Sequence, residues 1–386
     1  MVRRPGGGPS GDASLALCHE WLAARDGSEK TFEAIAATFP SADLYALTWN
    51  RAAGLTFGDR TVTTTFLDRL AVLRDRRMLQ LPLMPTAWRY ASRRRYDVVV
   101  TSSHACAKGF WPARDALHLC YCYTPMRYVW LSSIDGRRRQ GVAGTAAVRR
   151  LRAWDLTSVR WVDEFAAIST AVQARIQDLY GRTSRVIHPP VDTDHYYPFD
   201  ESKRGGFALT VSRMVGYKRL DLAIRACHRI GHPLVVAGSG PAEAPLRALA
   251  AELEADVRFV IRPDDDHLRD LYRSADVLVF PAEEDFGIVA VEAQACGTPV
   301  VAYERGGSMD TVLPGVTGVL VAEQDEESLA EGVVAVLNGD FDPKVCRAHA
   351  QRFSQARFTD AMLEWVLGAA GARGIRLPDP RTPETV

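Results

Sequence analysis

The sequence predicts an α/β protein built from two doubly wound parallel sheets that face each other across a cleft. Short β-branched or apolar runs alternate with helix-period segments along most of the 386 residues. The alternation is broken once, by VIHPPVDTDHYYPFDESKRGG (186–206), rich in Pro, Asp and Gly, whose start reads as a last strand and the rest as a linker. Charge divides at the same place. Residues 1–200 carry 27 Lys and Arg against 19 Asp and Glu, and residues 201–386 carry 20 against 28, so a net charge of zero hides +8 and −8.

The elements follow in order. LALCH (15–19), DLYALT (43–48), DVVVTS (97–102), HLCYCYT (118–124) and EFAAIS (164–169) read as strands of a Rossmann-like domain over 13–190. After a linker over 191–206, FALTVS (207–212), PLVVAGS (233–239), VRFVI (257–261), DVLVFP (276–281), TPVVAY (298–303) and TGVLVA (317–322) make a second such domain over 207–354. RLDLAIRACHRI (219–230) and APLRALAAELE (244–254) are helices between them. A final helix over 355–375, containing FTDAMLEWVLGAA, is expected to pack back towards the first domain, ahead of a polar tail at 376–386.

Composition narrows the class. With 47% hydrophobic residues and no apolar stretch near the roughly 20 residues of a membrane span, a globular protein with real cores is expected. The Gly- and Pro-rich lead over 1–12 has no apolar segment after its two arginines and does not resemble a secretory signal, so a cytoplasmic protein is expected. Seven cysteines without CxxC pairing read as buried free thiols. Arginines cluster in the first half at 74, 76, 77, at 93–95, at 137–139 and at 149, 150, 152. They are either a solvated face or a contact with an anionic bilayer or acidic substrate, and no nucleic-acid motif accompanies them.

In doubly wound sheets ligands bind beyond the carboxyl ends of strands, so three strand-to-helix loops are candidates. The first is PAEEDFGIVAVEAQACGTPVV (281–301), where Glu284 lies in the loop and Glu292 falls on an apolar helix stripe with Ile288, Val291 and Ala295. A carboxylate there needs a dedicated partner, either a ligand hydroxyl or a protein donor. The N–H groups around Phe286, Gly287 and Ile288, at a helix N-terminus, form a phosphate seat. The second loop, SRMVGYKRL (212–220), offers Arg213 and Lys218 to a pyrophosphate. The third, TSSHACAKG (101–109), places His104 on the opposite side of the cleft. The run Asp264-Asp265-Asp266 precedes HLRDLYRSA and reads as a helix cap, not a metal site.

These segments resemble the retaining, GT-B-fold glycosyltransferases of family 4, and within them the mannosyltransferases of bacterial O-antigen and exopolysaccharide assembly. The E-x7-E signature stands as Glu284 to Glu292 in EEDFGIVAVEAQACGTPVVAYERGG, the donor loop as SRMVGYKRLDLAI, and the interdomain approach as AISTAVQARIQDLYG with HPPVDTDHYYP. YCYTPMRYVW matches the branch's segment before its middle helices, and the similarity runs from about residue 15 to 370. The resemblance implies that Glu284 contacts the donor sugar, Glu292 the nucleotide ribose, Arg213, Lys218, Gly287 and Ile288 the diphosphate, and Arg262 the base. His104 would lie beside the sugar. Two positions depart from the pattern. Asp26-Gly27 replaces paired glycines that allow close backbone approach, and Ile261 replaces a glycine before Arg262 that bears on base selection.

The expected reaction is metal-independent, retaining transfer of a hexosyl group, mannose from GDP-mannose by resemblance, with UDP- and dTDP-sugars as alternatives. No cofactor is expected beyond the nucleotide-sugar co-substrate. The acceptor is a glycan, a lipid-linked saccharide or a small molecule, and the basic first domain could meet an anionic membrane at the inner face. A dehydrogenase is disfavoured by the lack of GxGxxG in LALCHEWLAARDGSEK and by the spacing of GSGPAE (238–243). A GT-B sugar-nucleotide epimerase and a non-catalytic nucleotide-binding scaffold are the remaining rivals.

Overall fold

The computed structural model describes residues 13–70, 72, 77–130, 142–199 and 204–381. The lead at 1–12, Arg74, Arg76, the arginines at 137–139, part of the linker and the end of the tail lie outside the described residues, as does the side chain of Arg77.

The first sheet has seven strands, β1 (Leu15–Leu22), β2 (Asp43–Trp49), β3 (Val62–Thr64), β4 (Val98–Ser103), β5 (Leu117–Cys122), β6 (Glu164–Ala167) and β7 (Ser184–Val186). They lie in the order β3-β2-β1-β4-β5-β6-β7, all parallel. The second has six, β8 (Ala208–Val211), β9 (Leu234–Gly238), β10 (Val257–Ile261), β11 (Val277–Phe280), β12 (Val300–Tyr303) and β13 (Gly318–Val321), in the order β10-β9-β8-β11-β12-β13, again all parallel. The two doubly wound sheets expected from the alternation are therefore present.

Alternate residues serve opposite faces. Leu15 and Leu17 join Leu44, Ala46, Val98 and Val100 in one core, while Ala16 and Cys18 join Tyr45, Leu47 and Val99 in another. Strands buried on both faces read as continuous apolar runs, which is why they were visible in the sequence. Helices α1 (Gly27–Thr38) and α2 (Thr170–Tyr180) cover the first face through Phe32, Ile35, Val172 and Ile176. The short helices Phe66–Arg69 and Met84–Arg89, with the longer Val142–Val159, cover the second.

Three strand readings change: the last strand of the first sheet, expected from Val186 onwards, is β7 and ends there. β3 was not expected, because a three-residue edge strand of Val-Thr-Thr has no apolar run. β1 extends past His19 through HEWL, where His19 and Glu20 are both fully buried polar residues. Their burial is satisfied by tertiary contacts, which no local pattern signals.

In the second domain α3 (Leu220–Arg229), α4 (Asp265–Ser274) and α5 (Ile288–Ala295) follow β8, β10 and β11. The last helix, α6 (Gln355–Ala372), packs on α1 in the first domain. Its Trp365 is fully buried and donates its indole N–H to Glu164 at 2.9 Å, Phe358 meets Tyr121 edge-on at 5.8 Å, and Arg373 pairs with Asp163. Where the chain passes between the domains, the Val191 N–H donates to the Phe353 carbonyl at 2.8 Å, so both crossings run side by side. All seven cysteines are buried free thiols, and burial pushes Cys227 and Cys296 up to about 12. No helix among the described residues is long and apolar enough to cross a membrane.

Because Trp365 belongs to the first domain's core, Trp365→Ala should cost about 3–5 kcal/mol, as buried aromatic truncations do. Chemical denaturation that detects less than about 1 kcal/mol would contradict this packing.

Candidate active site

β8 ends at Val211, and Ser212 to Val215 lead into a 3-10 turn, Gly216–Lys218, before α3. This loop sits directly on the one after β9. A Cβ at Gly238 would lie 2.0 Å from the Ser212 carbonyl oxygen, and one at Gly240 would lie 2.4 Å from that of Met214. The GSG stretch thus serves close packing under the donor loop. Lys218 emerges from the turn with its ammonium ion-paired to Glu284, 5.3 Å above the Tyr217 ring. Arg213 is exposed, its guanidinium 3.5 Å from the Tyr217 hydroxyl.

Glu284 comes from the loop between β11 and α5. That loop is clamped from below: the Gly307 N–H donates to the Glu284 carbonyl at 2.8 Å, and a Cβ at Gly307 would meet Phe286 Cα at 2.2 Å. Phe286 is buried and stacked on His188, with ring centroids 5.5 Å apart. Gly287 caps α5 at φ 92°, where a side chain would also press on Phe280. Gly27 of the first domain lies against the first residue of α5, since a Cβ there would sit 2.8 Å from Ile288 Cδ1. Glu284, Lys218, Phe286, Gly287, Ile288 and Gly27 are therefore brought together. Gly27 approaches Ile288 closely with Asp26, and not a second glycine, before it.

Asp285 faces the other domain. Its carboxylate lies 2.5 Å from Arg175 and 3.3 Å from Arg127, and the Ser169 hydroxyl donates to its carbonyl at 2.5 Å. Nearby, the Thr170 N–H and hydroxyl donate to Asp310 at 2.7 and 2.6 Å. Arg127, Arg175 and Ser169 were not singled out in the sequence, although all three lie in YCYTPMRYVW and AISTAVQAR.

Glu292 is buried on α5, and the Tyr272 hydroxyl of α4 donates to its Oε2 at 2.8 Å. Burial pushes its carboxyl above the usual range, against the opposing pull of the Lys30 ammonium and the Tyr272 hydroxyl. Lys30 reaches across from α1 and also lies 3.8 Å from Asp265. Lys30, Asp265 and His195 line a cavity of about 620 Å³ between α1 and the linker. The acidic run divides its work, with Asp264 capping α4 by accepting the His267 N–H and Asp266 pairing with Arg269. Arg262 is exposed at φ 51°, with its N–H on the Gly238 carbonyl.

His104 follows β4 in an aromatic group, 5.3 Å from Trp21 and 6.0 Å from Tyr123 between ring centroids. Its Nδ1 lies 3.3 Å from Glu20 Oε2. Glu20 in turn accepts from the Ser103 hydroxyl and from the Ala105 and Ala107 N–H groups, each at 2.9 Å. Burial alone would push the Glu20 carboxyl up, yet the neighbouring His104 and His19 and these N–H groups hold it below the usual range. A second buried carboxylate, Asp155, anchors the loop through Lys108 and accepts from Tyr180 and Trp130. Glu20 escaped the sequence reading because its donors lie more than 80 residues away.

The site thus sets the Lys218 cation and the N-terminus of α5 beside carboxylates, an arrangement suited to a group that leaves with negative charge. The raised Glu292 value has a stability consequence. A carboxyl whose folded value exceeds its unfolded one costs stability when ionised, and that cost vanishes at low pH. Glu292→Gln should therefore raise the melting temperature at pH 7 by a few degrees, with the gain fading as pH falls towards about 4. A melting temperature lowered at pH 7 would count against an ionised, strained Glu292.

Two family models divide the chain between them. Glycosyltransferase Family 4 matches residues 34–195, and Glycosyl transferases group 1 matches 198–355. A D-inositol 3-phosphate glycosyltransferase of Mycobacterium tuberculosis (strain ATCC 25618 / H37Rv) is 34% identical over 202 residues, 46% of this chain and 42% of that protein. The chain thus spans under half the length of that relative. Among solved structures, sucrose-phosphate synthase from Thermosynechococcus elongatus superposes with a TM-score of 0.74 at 20% identity, over 92% of this chain and 100% of that one. Anabaena HepE in complex with UDP and glucose gives 0.69 at 18% identity, over 92% and 99%. With two parallel-sheet domains and both halves matched, the chain belongs to the GT-B glycosyltransferases of the family 4 and group 1 type.

Proposed function

We propose that the protein is a retaining glycosyltransferase that moves a hexosyl group from a nucleotide sugar to an acceptor hydroxyl without a metal. The observation that carries this reading is the Lys218–Glu284 pair, set beside the N-terminus of α5. Cleavage of a glycosyl diphosphate builds negative charge on the leaving group and positive charge on the sugar. In this reading Lys218 turns from Glu284 to the diphosphate, Arg213 joins it, and the Gly287 and Ile288 N–H groups complete the anion seat. Glu284, released from its cation, accepts hydroxyls of the sugar. Preorganised cations stabilise the transition state more than the ground state, so these groups take the role a metal would have.

Front-face attack, with the leaving phosphate taking the acceptor proton, accounts for retention without a protein nucleophile. Asp285 is poorly suited to that role because two arginines hold it. GDP-mannose is the donor that the resemblance supports. A UDP-sugar is the second reading, supported by solved relatives in complex with UDP and with UDP-glucose.

Nucleoside diphosphates separate these readings. At about 100 times its dissociation constant, the cognate nucleotide should stabilise the protein by roughly 2.7 kcal/mol in a thermal melt, and the non-cognate one should not. In a transfer assay, Glu284→Gln should lower kcat by roughly 10²–10³ while nucleotide binding persists, as expected when a group acts on the sugar in the transition state. Activity should survive EDTA, and the product's anomeric configuration should match the donor's. Unchanged transfer by Glu284→Gln would sink the catalytic assignment, and donor isomerisation without acceptor would favour the epimerase.

A further inference from the structure

Glu20, near the carboxyl end of β1, is a fully buried carboxylate whose two oxygens are used differently. Oε1 accepts the Ser103 hydroxyl and the N–H groups of Ala105 and Ala107, each at 2.9 Å. It shares the His104 N–H, at 3.2 Å, with Oε2 at 3.3 Å. Oε2 also lies 3.3 Å from Nδ1 of the His104 ring. The turn is held from its other side as well, since the Ala105 carbonyl accepts from the Lys108 ammonium, which is paired with Asp155. A neutral amide would satisfy the backbone groups equally, so the contact that calls for a carboxylate is the ring.

The ring has a buried and an open side. Its Nδ1 is buried while its side chain is 20% exposed, so the open edge is the one away from Glu20. His19, Trp21 and Tyr123 stand around it at 5.8, 5.3 and 6.0 Å between ring centroids. His19 meets the Ser102 hydroxyl at 3.0 Å through its own Nδ1, and that hydroxyl donates to Tyr123 at 2.9 Å.

We propose that Glu20 is a positioning residue that holds the proton of the neutral His104 ring on Nδ1 and so presents the Nε2 lone pair to a hydroxyl of the transferred sugar. An ionised carboxylate only accepts, so Nδ1 must donate at that contact, and a neutral imidazole that donates at one nitrogen accepts at the other. In catalytic triads a buried carboxylate sets the tautomer of a histidine in this way, and its change to an amide keeps the geometry but gives the wrong tautomer. The tautomer assignment stands on the geometry here, while the sugar contact rests on the glycosyl-transfer reading.

Glu20→Gln separates positioning from folding. Its amide oxygen belongs where four donors converge on Oε1, which turns its NH2 towards Nδ1 and forces the ring to carry its proton on Nε2. The test is imidazole nitrogen NMR of the full chain, labelled in its nine histidines, at about pH 8, where an ordinary imidazole is neutral. The His104 signal is the one lost in His104→Ala. The wild type should show the Nδ1–H form and Glu20→Gln the Nε2–H form. An Nε2–H ring in the wild type would overturn the proposal even if the variant does not fold, and so would an unchanged tautomer in folded Glu20→Gln. In a transfer assay, Glu20→Gln should lower kcat by roughly tenfold or more with little change in donor KM. It should add less than about twofold to the loss in His104→Ala, as groups that act as a unit do. Losses that multiply would mean that Glu20 serves the turn alone. The Nδ1–H form in a protein that transfers no sugar would leave the tautomer assignment standing and remove the sugar contact.

Discussion

Glu292 occupies a place on α5 where every neighbouring position is apolar, and much of the site is arranged around keeping a carboxylate there. Tyr272 meets one of its oxygens from α4, and Lys30 reaches towards it from the other domain. Neither brings its pKa back to the ordinary range, so the protein carries an acid under strain in its interior. In the proposed reading a ligand relieves that strain, since the ribose of a nucleotide would supply two hydroxyl donors for the remaining oxygen. That acid stands about one and a half turns from the Gly287 cap, so the proposed ribose and diphosphate contacts share one short helix.

The two domains meet at the same loop. Glu284 and Asp285 are adjacent, yet Glu284 pairs with Lys218 of its own domain while Asp285 draws Arg127 and Arg175 from the other. The chain turn between them sends one carboxylate to the Lys218 side of the site and the other to the domain contact. Any relative movement of the domains is therefore felt one residue from Glu284. Ser169, Thr170 and Asp310 repeat the contact a short distance away, and α6 ties the chain's end to the first domain.

What could be read from the sequence was local. The strands were visible because parallel strands buried on both faces are continuous apolar runs, and Glu284, Glu292, Arg213 and Lys218 because each lies in a loop or helix whose pattern it interrupts. The supporting groups were not visible. Arg175 meets Asp285 across 110 positions, and Ala105 donates to Glu20 across 85. Charged and polar residues at such separations have no periodic signature, and only the fold pairs them. Tyr272 is an intermediate case: the need of Glu292 for a donor was evident, but its source was not. β3 was missed because a short polar edge strand owes its existence to β2 beside it.

The most direct measurement is calorimetric binding of the stabilising nucleoside diphosphate and its 2′,3′-dideoxy counterpart to the wild type and to Glu292→Ala. Hydrogen bonds to a charged group contribute roughly 1.5–3 kcal/mol, so removing the ribose hydroxyls should weaken wild-type binding about tenfold or more. The variant should bind both ligands alike, because the group that distinguishes them is gone. An equal loss in wild type and variant would mean that the ribose does not meet Glu292, and that its burial serves the fold alone.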